Sequence, residues 1–578
     1  MAGPEGDRLL YVNMTDQTTS YEPFPEEWKL LGGRGLSAKI LLKDCDPTCD
    51  PLGSDNVLVM APGVLTGTTA PTSGRISIGG KSPLTGGIKE ANAGGNPGQH
   101  LMKLGIRAIV VTGQPSDASK RYGIRIDEGE VSVVSADEYK GMWNYATCEK
   151  LLANESKAAS VISIGPAGEL LLKGASVACT DQDAERRPAR HAARGGLGAV
   201  MGSKGLKWVL VDPGKARARQ AADSKGFNKL NKQYTKNYLD APVKMFEFGT
   251  ASAVPLANML NTFVYKNRTE GQSPDVDKLD GARIVESFEE RGGGMHNCMT
   301  GCVVSCSNVV HDKDGNYKTS ALEFETLTLL GANCAIETFD EVAELDRLCD
   351  ELGLDTIETG AAIAVLMDSG GMGWGDSESA IKLLQEIAEG SERGKMIGDG
   401  AVETGKQLGH KRVPHARGQA IPAWDPRPLK ATGVTYAAGP MGADHTAGLV
   451  VNPGLAPEEY ARASQECQIV NMVTDSSGFC QFLQTNLDDI RGYYEVFCGV
   501  EVSRQAIADQ GWEALEDEWK FNAAAGWKDE DNVLSDCLVE EGIGPDHSMK
   551  FDVSLEITNQ SKVRFPMRDE LFGAASSG

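Results

Sequence analysis

Three cysteines lie close together in the middle of the chain, and a fourth lies well downstream. Cys298, Cys302 and Cys306 are separated by three residues in each gap, a spacing that could place all three thiols along one face of a helix. Iron–sulfur clusters are held by four thiolates, and Cys480 is the natural fourth ligand. Buried apolar cysteine is the alternative. Three cysteines within nine residues favour a cluster site.

A hexad of the form Asp-x-x-Gly-hydrophobic-Asp/Cys occurs twice, at residues 350–355 and 475–480. Taken singly, each copy is typical of a helix C-terminus that ends in a left-handed glycine. Two copies, each after an apolar helical pattern, favour two similar ligand parts held in similar ways. An ionised aspartate accepts paired hydrogen bonds from amino and ring N–H groups, such as those of a pterin. The second copy ends in Cys480, which connects one ligand part to the cluster.

Four glycine-rich segments precede residue 205, and they lie at residues 32–36, 73–77, 92–96 and 194–198. Glycines let backbone N–H groups approach an oxyanion, and the arginines among them can supply bidentate phosphate contacts. The spacing does not fit a dinucleotide-binding fingerprint. Any one segment is a weak signal, because glycine-rich turns are common. Four in an acidic chain favour a large phosphorylated ligand.

Two further residues are candidates for acid–base chemistry. Glu325 opens an otherwise apolar run, where a carboxyl could be desolvated. His445 lies in a glycine-rich turn and is one of only eight histidines. From the residues alone, a helix-start carboxylate and a loop histidine are the simpler interpretations of these two positions.

Composition limits the class of protein. The net charge of −24 opposes nucleic-acid binding, which needs a basic surface, and disfavours anionic membranes. The N-terminus lacks the features of a signal peptide, and no apolar run approaches the roughly 18 residues that span a bilayer. We therefore expect a cytoplasmic protein without membrane insertion. Thirteen cysteines in 578 residues point to metal binding rather than a disulfide framework.

The hydrophobic pattern changes from strand-like to helical near residue 213. Short β-branched runs predict strands at 8–13, 18–21, 56–61, 108–112, 161–164 and 208–211, and a hairpin at 122–134. Helical periods predict helices at 25–43, 97–104, 341–352, 380–388 and 458–473. A proline-rich segment at 411–428 reads as a boundary loop. These patterns predict three domains, at 1–213, 214–415 and 416–578.

Together these motifs resemble the tungsten-containing aldehyde:ferredoxin oxidoreductase family over essentially the whole chain. The likeness is strongest at residues 32–36, 74–75, 92–95, 194–204 and 322–326 and in the two hexads. The resemblance implies an α+β fold, with a β-rich N-terminal domain over two mainly helical domains. It also implies a tungsten ion, less often molybdenum, held between them by two pyranopterin dithiolenes, with a 4Fe–4S cluster beside one pterin.

The resemblance further implies a role for each matching residue. The 4Fe–4S cluster would be bound by Cys298, Cys302, Cys306 and Cys480. The pterins would be held by Arg75, Asn92, Gly94, Arg194, Gly195, Asp350, Asp355, Asp475, Gly478 and Phe479. The aspartates would bind the rings and the arginines would reach the phosphates, or, in the case of Arg75, bridge the cluster and a pterin. A magnesium ion joining the phosphates would take the backbone carbonyls of Asn92 and Gly195. Glu325 and His445 would manage protons near the metal.

Two positions depart from the family pattern. The usual cysteine run has two residues in its first gap, whereas three separate Cys298 from Cys302. Met441 stands where a basic residue usually precedes the sequence Gly-Ala-Asp-His445. The cysteine spacing bears on cluster geometry, and the methionine removes a positive charge near the histidine.

The resemblance implies interconversion of small aldehydes and carboxylic acids. Electrons would pass through the cluster to a ferredoxin or a ferredoxin-like subunit, and the chain would form a homodimer or a hetero-oligomer. One alternative is the catalytic subunit of a class II benzoyl-CoA reductase-like enzyme. Another is a non-catalytic iron–sulfur electron-relay subunit. The hexads and the phosphate-type glycine motifs count against a relay, because a cluster alone needs neither.

Overall fold

Two six-stranded sheets with the same strand order form the N-terminal third of the protein. A computed structural model describes residues 6–241 and 245–573. The strands of the first sheet are β1 (Arg8–Asn13), β2 (Thr18–Pro23), β3 (Leu58–Pro62), β4 (Ile76–Lys81), β5 (Ile88–Ala93) and β6 (Ile106–Thr112). Those of the second are β7 (Tyr122–Asp127), β8 (Glu130–Ser135), β9 (Ser160–Ser163), β10 (Val177–Cys179), β11 (Arg190–Ala192) and β12 (Leu206–Asp212).

The two sheets are repeats of one another. The first has the order β2-β1-β6-β3-β4-β5 and the second has the order β8-β7-β12-β9-β10-β11. In both, the first strand pairs antiparallel with the second strand and parallel with the last strand. The sequence patterns predicted many of these strands but not the duplication.

The rest of the described chain is mainly helical, which confirms the predicted α+β class. The helices before residue 260 are α1 (Gly33–Asp44), α2 (Pro97–Lys103), α3 (Asn144–Leu152), α4 (Pro166–Glu169), α5 (Leu197–Ser203), α6 (Ser224–Asp240), α7 (Met245–Phe248) and α8 (Val254–Met259). Those between residues 280 and 410 are α9 (Gly281–Arg291), α10 (Phe324–Thr326), α11 (Phe339–Leu352), α12 (Thr356–Asp368), α13 (Ser377–Glu389), α14 (Glu392–Gly398) and α15 (Ala401–Leu408). The last are α16 (Lys430–Ala438), α17 (Tyr460–Ser477), α18 (Leu487–Cys498), α19 (Arg504–Ala524), α20 (Asp536–Glu540) and α21 (Leu555–Gln560).

Two small sheets interrupt the helices. A three-stranded sheet contains β13 (Gly293–His296), β14 (Ser307–His311) and β15 (Tyr317–Ser320), and a hairpin contains β16 (His415–Ala416) and β17 (Gln419–Ala420). That hairpin lies within the proline-rich segment, most of which is buried. The segment is therefore an internal connection and not an exposed loop. The two boundaries between the three predicted domains stay a prediction.

Most predicted helices are confirmed, with longer bounds in the helical half. The helix predicted at 25–43 is the main exception, because α1 begins only at Gly33 and a short 3₁₀ turn, Glu26–Trp28, precedes it. Gly32 has an extended backbone, and a Cβ there would lie 2.4 Å from the backbone nitrogen of Val64. This close approach of two chain segments sets the start of the helix. Within the described residues, no helix combines the length and apolar character needed to cross a bilayer.

Candidate functional site

The four cysteines predicted to bind a cluster are all buried and lie within one apolar cluster of side chains. These four residues, Cys298, Cys302, Cys306 and Cys480, are here called the cysteine group. Cys298, Cys302 and Cys306 lie on the irregular loop between β13 and β14, so the prediction that they share a helical face was wrong. Tertiary hydrogen bonds to the N-terminal domain shape this loop instead. Cys480 follows α17 and begins a short 3₁₀ turn, Gln481–Leu483.

Thr72 holds the two parts of the cysteine group together. Its amide donates to the carbonyl of Gly301 at 2.9 Å, and its hydroxyl accepts from the amide of Val303 at 3.0 Å. Its carbonyl accepts from the amide of Cys480 at 3.0 Å. One residue of the N-terminal domain therefore bonds the backbone around Cys302 and the backbone of Cys480.

Arg75 supplies positive charge beside these thiols. Its guanidinium donates to the carbonyl of Asn92 at 3.2 Å and also to the Asn92 side chain. Burial opposes the charged form, but the neighbouring thiols of Cys480 and Cys298 raise the pKa of Arg75. A Cβ at Gly94 would lie 3.0 Å from the Cys298 Sγ. Glycine at position 94 therefore leaves room for the loop of thiols.

The thiols themselves are electrostatically unequal. The pKa of Cys298 is lowered to about 7 by a hydrogen bond with Cys302 and by the charges of Arg190 and Arg75. Burial raises the pKa of Cys480. The two arginines therefore favour a thiolate within the Cys298–Cys302 pair.

Each hexad includes the end of a helix and the left-handed glycine that terminates it, and each contacts one of the two repeated sheets. α11 ends at Gly353 with φ +72°, and α17 ends at Gly478 with φ +92°. Both glycines are in the left-handed region that other residues rarely adopt. The carbonyl of Gly353 accepts from the amide of Ser176 at 2.8 Å, and that of Gly478 accepts from the amide of Arg75 at 3.2 Å. The doubled motif and the doubled sheet thus form one two-fold arrangement.

The first aspartate of each hexad has its own polar surroundings. The carboxylate of Asp350 lies 3.1 Å from Nε2 of His191 and accepts from the hydroxyl of Tyr145 at 3.3 Å. The carboxylate of Asp475 accepts from the side-chain amide of Gln481 at 3.1 Å. Burial raises the pKa of Asp475 to about 8, and Glu90 adds to the shift. Asp475 is therefore largely protonated at neutral pH unless further donors reach it.

Asp355, the last residue of the first hexad, and Phe479, the fifth residue of the second, also make structural contacts. Asp355 caps α12, because its side chain accepts from the amide of Ile357 at 2.9 Å. Phe479 is fully buried, and its ring packs edge-on against Tyr493 with 5.1 Å between centroids. Both positions keep the end of their hexad rigid.

Arg194 joins the first hexad to the candidate acid–base residues. Its guanidinium donates to Asp355 at 3.4 Å, to the carbonyl of Ala420 at 2.7 Å and to the carbonyl of Ala443. The carbonyl of Gly195 accepts from the hydroxyl of Ser82 at 2.7 Å. The predicted contacts of Arg194 with phosphates, and of Asn92 and Gly195 carbonyls with magnesium, stay predictions.

One glycine-rich segment contacts protein backbone rather than open space. A Cβ at Gly33 would lie 2.1 Å from the carbonyl oxygen of Asp475, so this glycine lets α1 pack against the end of α17. Arg34 in the same run forms a buried bidentate ion pair with Glu518, with N–O distances of 2.9 and 2.7 Å. The run at 32–36 therefore packs against the backbone of the second hexad.

Glu325 and His445, which are 120 residues apart in sequence, lie side by side. Oε1 of Glu325 is 3.7 Å from Nδ1 of His445, and both atoms are buried without a hydrogen-bond partner in the described part of the chain. Oε2 of Glu325 accepts from the amide of Ala423 at 2.7 Å, which fixes the carboxylate. The arrangement leaves one carboxylate oxygen and one imidazole nitrogen free to exchange protons with a bound molecule.

Both hexads connect to the turn that carries His445. Arg194 links Asp355 to Ala443, as described above. On the other side, the side-chain amide of Gln481 donates to the carboxylate of Asp475 at 3.1 Å and to the carbonyl of Thr446 at 3.0 Å. The acid–base pair therefore lies between the two hexads.

Two charged groups in this region were missed by the sequence analysis. Arg190, on β11, lies 2.8 Å from Asp181 and beside Cys298, and its Nη2 is buried without a hydrogen-bond partner among the described residues. Lys89 forms a fully buried ion pair with Asp444, next to His445. Charged residues at strand positions were the available signal, but such residues more often face solvent.

The residues present fit a 4Fe–4S cluster and a ligand rich in N–H groups. Four converging thiols with adjacent arginines match the usual donor set of such a cluster. The unpartnered atoms of Glu325, His445 and Arg190 are polar groups that a buried site must satisfy. Protonated Asp475 would regain its charge on accepting hydrogen bonds from a ring edge.

Comparison with known proteins places this chain in a family. The model of the aldehyde ferredoxin oxidoreductase N-terminal domain matches residues 9–213, and the model of its domains 2 and 3 matches residues 229–559. The tungsten-containing aldehyde ferredoxin oxidoreductase of Pyrococcus furiosus is 31% identical, with 92% of this chain and 91% of that protein covered. The enzyme of the same name from Thermococcus kodakarensis is 30% identical, with the same coverage.

More distant similarities extend the comparison. The WOR-like subunit of aliphatic sulfonate oxidoreductase from Pyrococcus furiosus is 27% identical, with 82% of this chain and 79% of that subunit covered. Among solved structures, the active-site complex BamBC of benzoyl coenzyme A reductase with 1,5-dienoyl-CoA has a TM-score of 0.80. The match covers 97% of this chain and 94% of that chain at 18% sequence identity, and it therefore shows a shared fold. The predicted family and enzyme class are confirmed: the chain belongs to the aldehyde ferredoxin oxidoreductase family and is an oxidoreductase.

Proposed function

We propose that this protein interconverts small aldehydes and carboxylic acids. The observation that carries the proposal is the turn at residues 443–446, which Arg194 links to the first hexad and Gln481 links to the second, and which places His445 beside Glu325. The proposed metal, held by two pterins, needs acid–base residues between two similar pterin-binding segments. Glu325 and His445 lie in that position between the two hexads. When bound, the tungsten (or molybdenum) bis-pyranopterin would supply the oxygen-transfer and two-electron redox chemistry.

The protein's contribution is to hold and orient. Asp350, Asp355 and Asp475 would bind the pterin rings. Arg194 would face the phosphates, and Arg75 would face the phosphates or bridge the cluster and a pterin. Magnesium would take the carbonyls of Asn92 and Gly195. The cysteine group would hold the 4Fe–4S cluster, with Cys480 beside one pterin.

Proton transfer is assigned to the unpartnered pair. The free Oε1 of Glu325 would accept a proton from water or from an aldehyde hydrate, while the Ala423 amide holds the other oxygen in place. His445 would donate a hydrogen bond to the substrate oxygen. General acid–base groups of this kind contribute about 10²- to 10⁴-fold to a rate.

Electrons would leave one at a time through the cluster to a ferredoxin or a ferredoxin-like subunit in the cytoplasm. Assembly as a homodimer or a hetero-oligomer is part of the same proposal. The benzoyl-CoA reductase-like alternative rests on fold similarity alone, and fold does not determine substrate.

The test begins with tungsten, molybdenum and iron per chain in anaerobically purified protein. One tungsten or molybdenum with about four irons is expected for one mononuclear site and one cubane cluster. Oxidation of short aldehydes with a viologen acceptor should then be lost in Glu325→Gln, with the metal content unchanged. Iron without tungsten or molybdenum, or reduction of an aromatic thioester without aldehyde turnover, would contradict the proposal.

A further inference from the structure

Helix α6 (Ser224–Asp240) has two sharply different faces. Its buried residues are the aromatic side chains of Phe227, Tyr234 and Tyr238. Its exposed lysines recur at intervals of four, three and four residues, which places them on one narrow face of a helix opposite the aromatics. We call this face the lysine stripe, and it consists of Lys225, Lys229, Lys232 and Lys236.

The aromatic face of α6 covers the cysteine group. The hydroxyl of Tyr238 donates to the carbonyl of Val304, between Cys302 and Cys306, at 3.5 Å. Tyr234 packs on Tyr493 with ring centroids 5.2 Å apart, and Tyr493 packs on Phe479, which precedes Cys480. A helix with its side chains is roughly 10 Å across. The lysine stripe is therefore about one helix thickness from the thiols.

The stripe is unusual in so acidic a protein. The chain has 81 acidic and 57 basic residues, yet Asp240 is the only acidic residue in α6. Within residues 6–241 and 245–573, none of the four lysines has an ion-pair partner in the chain, whereas Lys39, Lys120 and Lys278 do. A solvated helix face usually mixes both signs of charge. Four unpaired positive charges above a redox site call for a partner.

Exposed apolar side chains accompany the charge. Phe482 is 39% exposed and lies two residues after Cys480, and Leu239 at the end of α6 is 47% exposed. Charged rims steer a partner and set the rate of association, while apolar contacts hold it. The surface has both parts next to the cysteine group.

We propose that the lysine stripe is the docking site of a small acidic one-electron carrier protein. The proposal rests on the function proposed above and adds the place where electrons leave. Charge complementarity selects this occupant, because an acidic carrier is repelled by the rest of a surface of net charge −24. Each encounter moves one electron from the reduced cluster to the oxidised carrier, so that two encounters accompany each aldehyde oxidised.

The test compares two variants of the holoenzyme with equal changes in charge. One reverses the stripe, as Lys229→Glu, Lys232→Glu and Lys236→Glu. The other carries Lys157→Glu, Lys382→Glu and Lys411→Glu, which are exposed lysines without ion-pair partners in the described chain and lie on other elements. Both variants gain the same net negative charge, so any difference between them reports position.

Binding of an acidic bacterial-type ferredoxin is measured by biolayer interferometry between about 20 and 300 mM salt. The stripe variant should bind at least about tenfold more weakly at low salt and lose most of its salt dependence. The matched variant should bind like the wild type apart from a small uniform loss. Equal binding by the two variants would overturn the proposal.

Turnover separates this proposal from the proposed function. With an aldehyde as donor, the stripe variant should show a raised KM for ferredoxin and an unchanged rate with benzyl viologen, which needs no docking surface. A loss of the viologen rate in the stripe variant would assign the lysines a structural role and overturn the proposal. Wild-type protein that binds ferredoxin through the stripe but oxidises no aldehyde would refute the proposed function and keep the docking site.

Discussion

Replacement of Gly478 by alanine tests how the second hexad positions the cysteine group. Gly478 has φ +92°, and a Cβ there would lie 2.4 Å from the hydroxyl of Thr66. Ordinary contact begins at 3.4 Å, so the hydroxyl must move by 3.4 − 2.4 = 1.0 Å. That hydroxyl donates to the carbonyl of Ser73 at 2.8 Å, inside the segment that carries Arg75.

The free-energy cost has two parts. A left-handed conformation costs a residue other than glycine about 1–2 kcal/mol. Overpacking a buried contact costs about 1–3 kcal/mol more. We therefore expect Gly478→Ala to lower the free energy of unfolding by about 2–5 kcal/mol. Displacement of the backbone should also weaken the bond from the Arg75 amide to the Gly478 carbonyl and reduce iron content.

Gly409→Ala is the matched control. Gly409 also ends a helix in the left-handed region, with φ +64°, but a Cβ there meets no atom of the described residues within 4 Å. This variant should show only the conformational cost, about 1–2 kcal/mol, and full iron content. Urea unfolding and iron per chain measure both effects. Equal destabilisation of the two variants, or full iron in Gly478→Ala, would refute the steric argument.

Three other outcomes follow from buried charges. In the cofactor-free chain the pKa of Asp475 is raised from 3.8 to about 8. The folded state therefore binds one more proton than the unfolded state between these pH values, and the free energy of unfolding declines as pH rises across that interval. Asp475→Asn should flatten the decline of the urea midpoint with pH, and an unchanged decline would count against the prediction. Arg190→Gln should lower the cluster's reduction potential by removing a positive charge beside Cys298, and an EPR-monitored titration that shows no shift at full iron content would exclude that role. Glu518→Ala should lower the free energy of unfolding by about 3–5 kcal/mol, because it leaves Arg34 buried without its partner. Asp517→Ala, which breaks a partly exposed pair with Lys39, should lower it by at most about 1 kcal/mol. Similar losses for the two variants in urea unfolding would contradict the burial argument.

Local patterns were sufficient for much of the fold. The helix at 460–477 and the hairpin at 122–135 follow from amphipathic period and turn residues, and both are present. The hexads were recognisable because a left-handed glycine after a helix leaves a local signature. These features depend on residues near one another in sequence.

Features that depend on distant contacts were not predictable. The repeated sheets arise from strand pairings about 100 residues apart, such as β1 with β6, and the two copies differ in sequence. The loop of Cys298 to Cys306 takes its shape from Thr72, more than 200 residues away. Glycine-rich composition could not show whether a close approach is to a ligand or, as at Gly33, to the backbone of Asp475.

The two hexads end in residues of different chemistry. Asp355 ends the first copy and Cys480 ends the second, and each faces an arginine, Arg194 and Arg75 respectively. A two-fold scaffold by itself has no direction. In the proposed enzyme, Cys480 binds the electron-carrying cluster at one end of the cofactor, whereas Asp355 binds no cluster at the other end. The polarity of electron flow would thus follow from the position of the cluster beside the second hexad, to which Cys480 supplies one of four thiols.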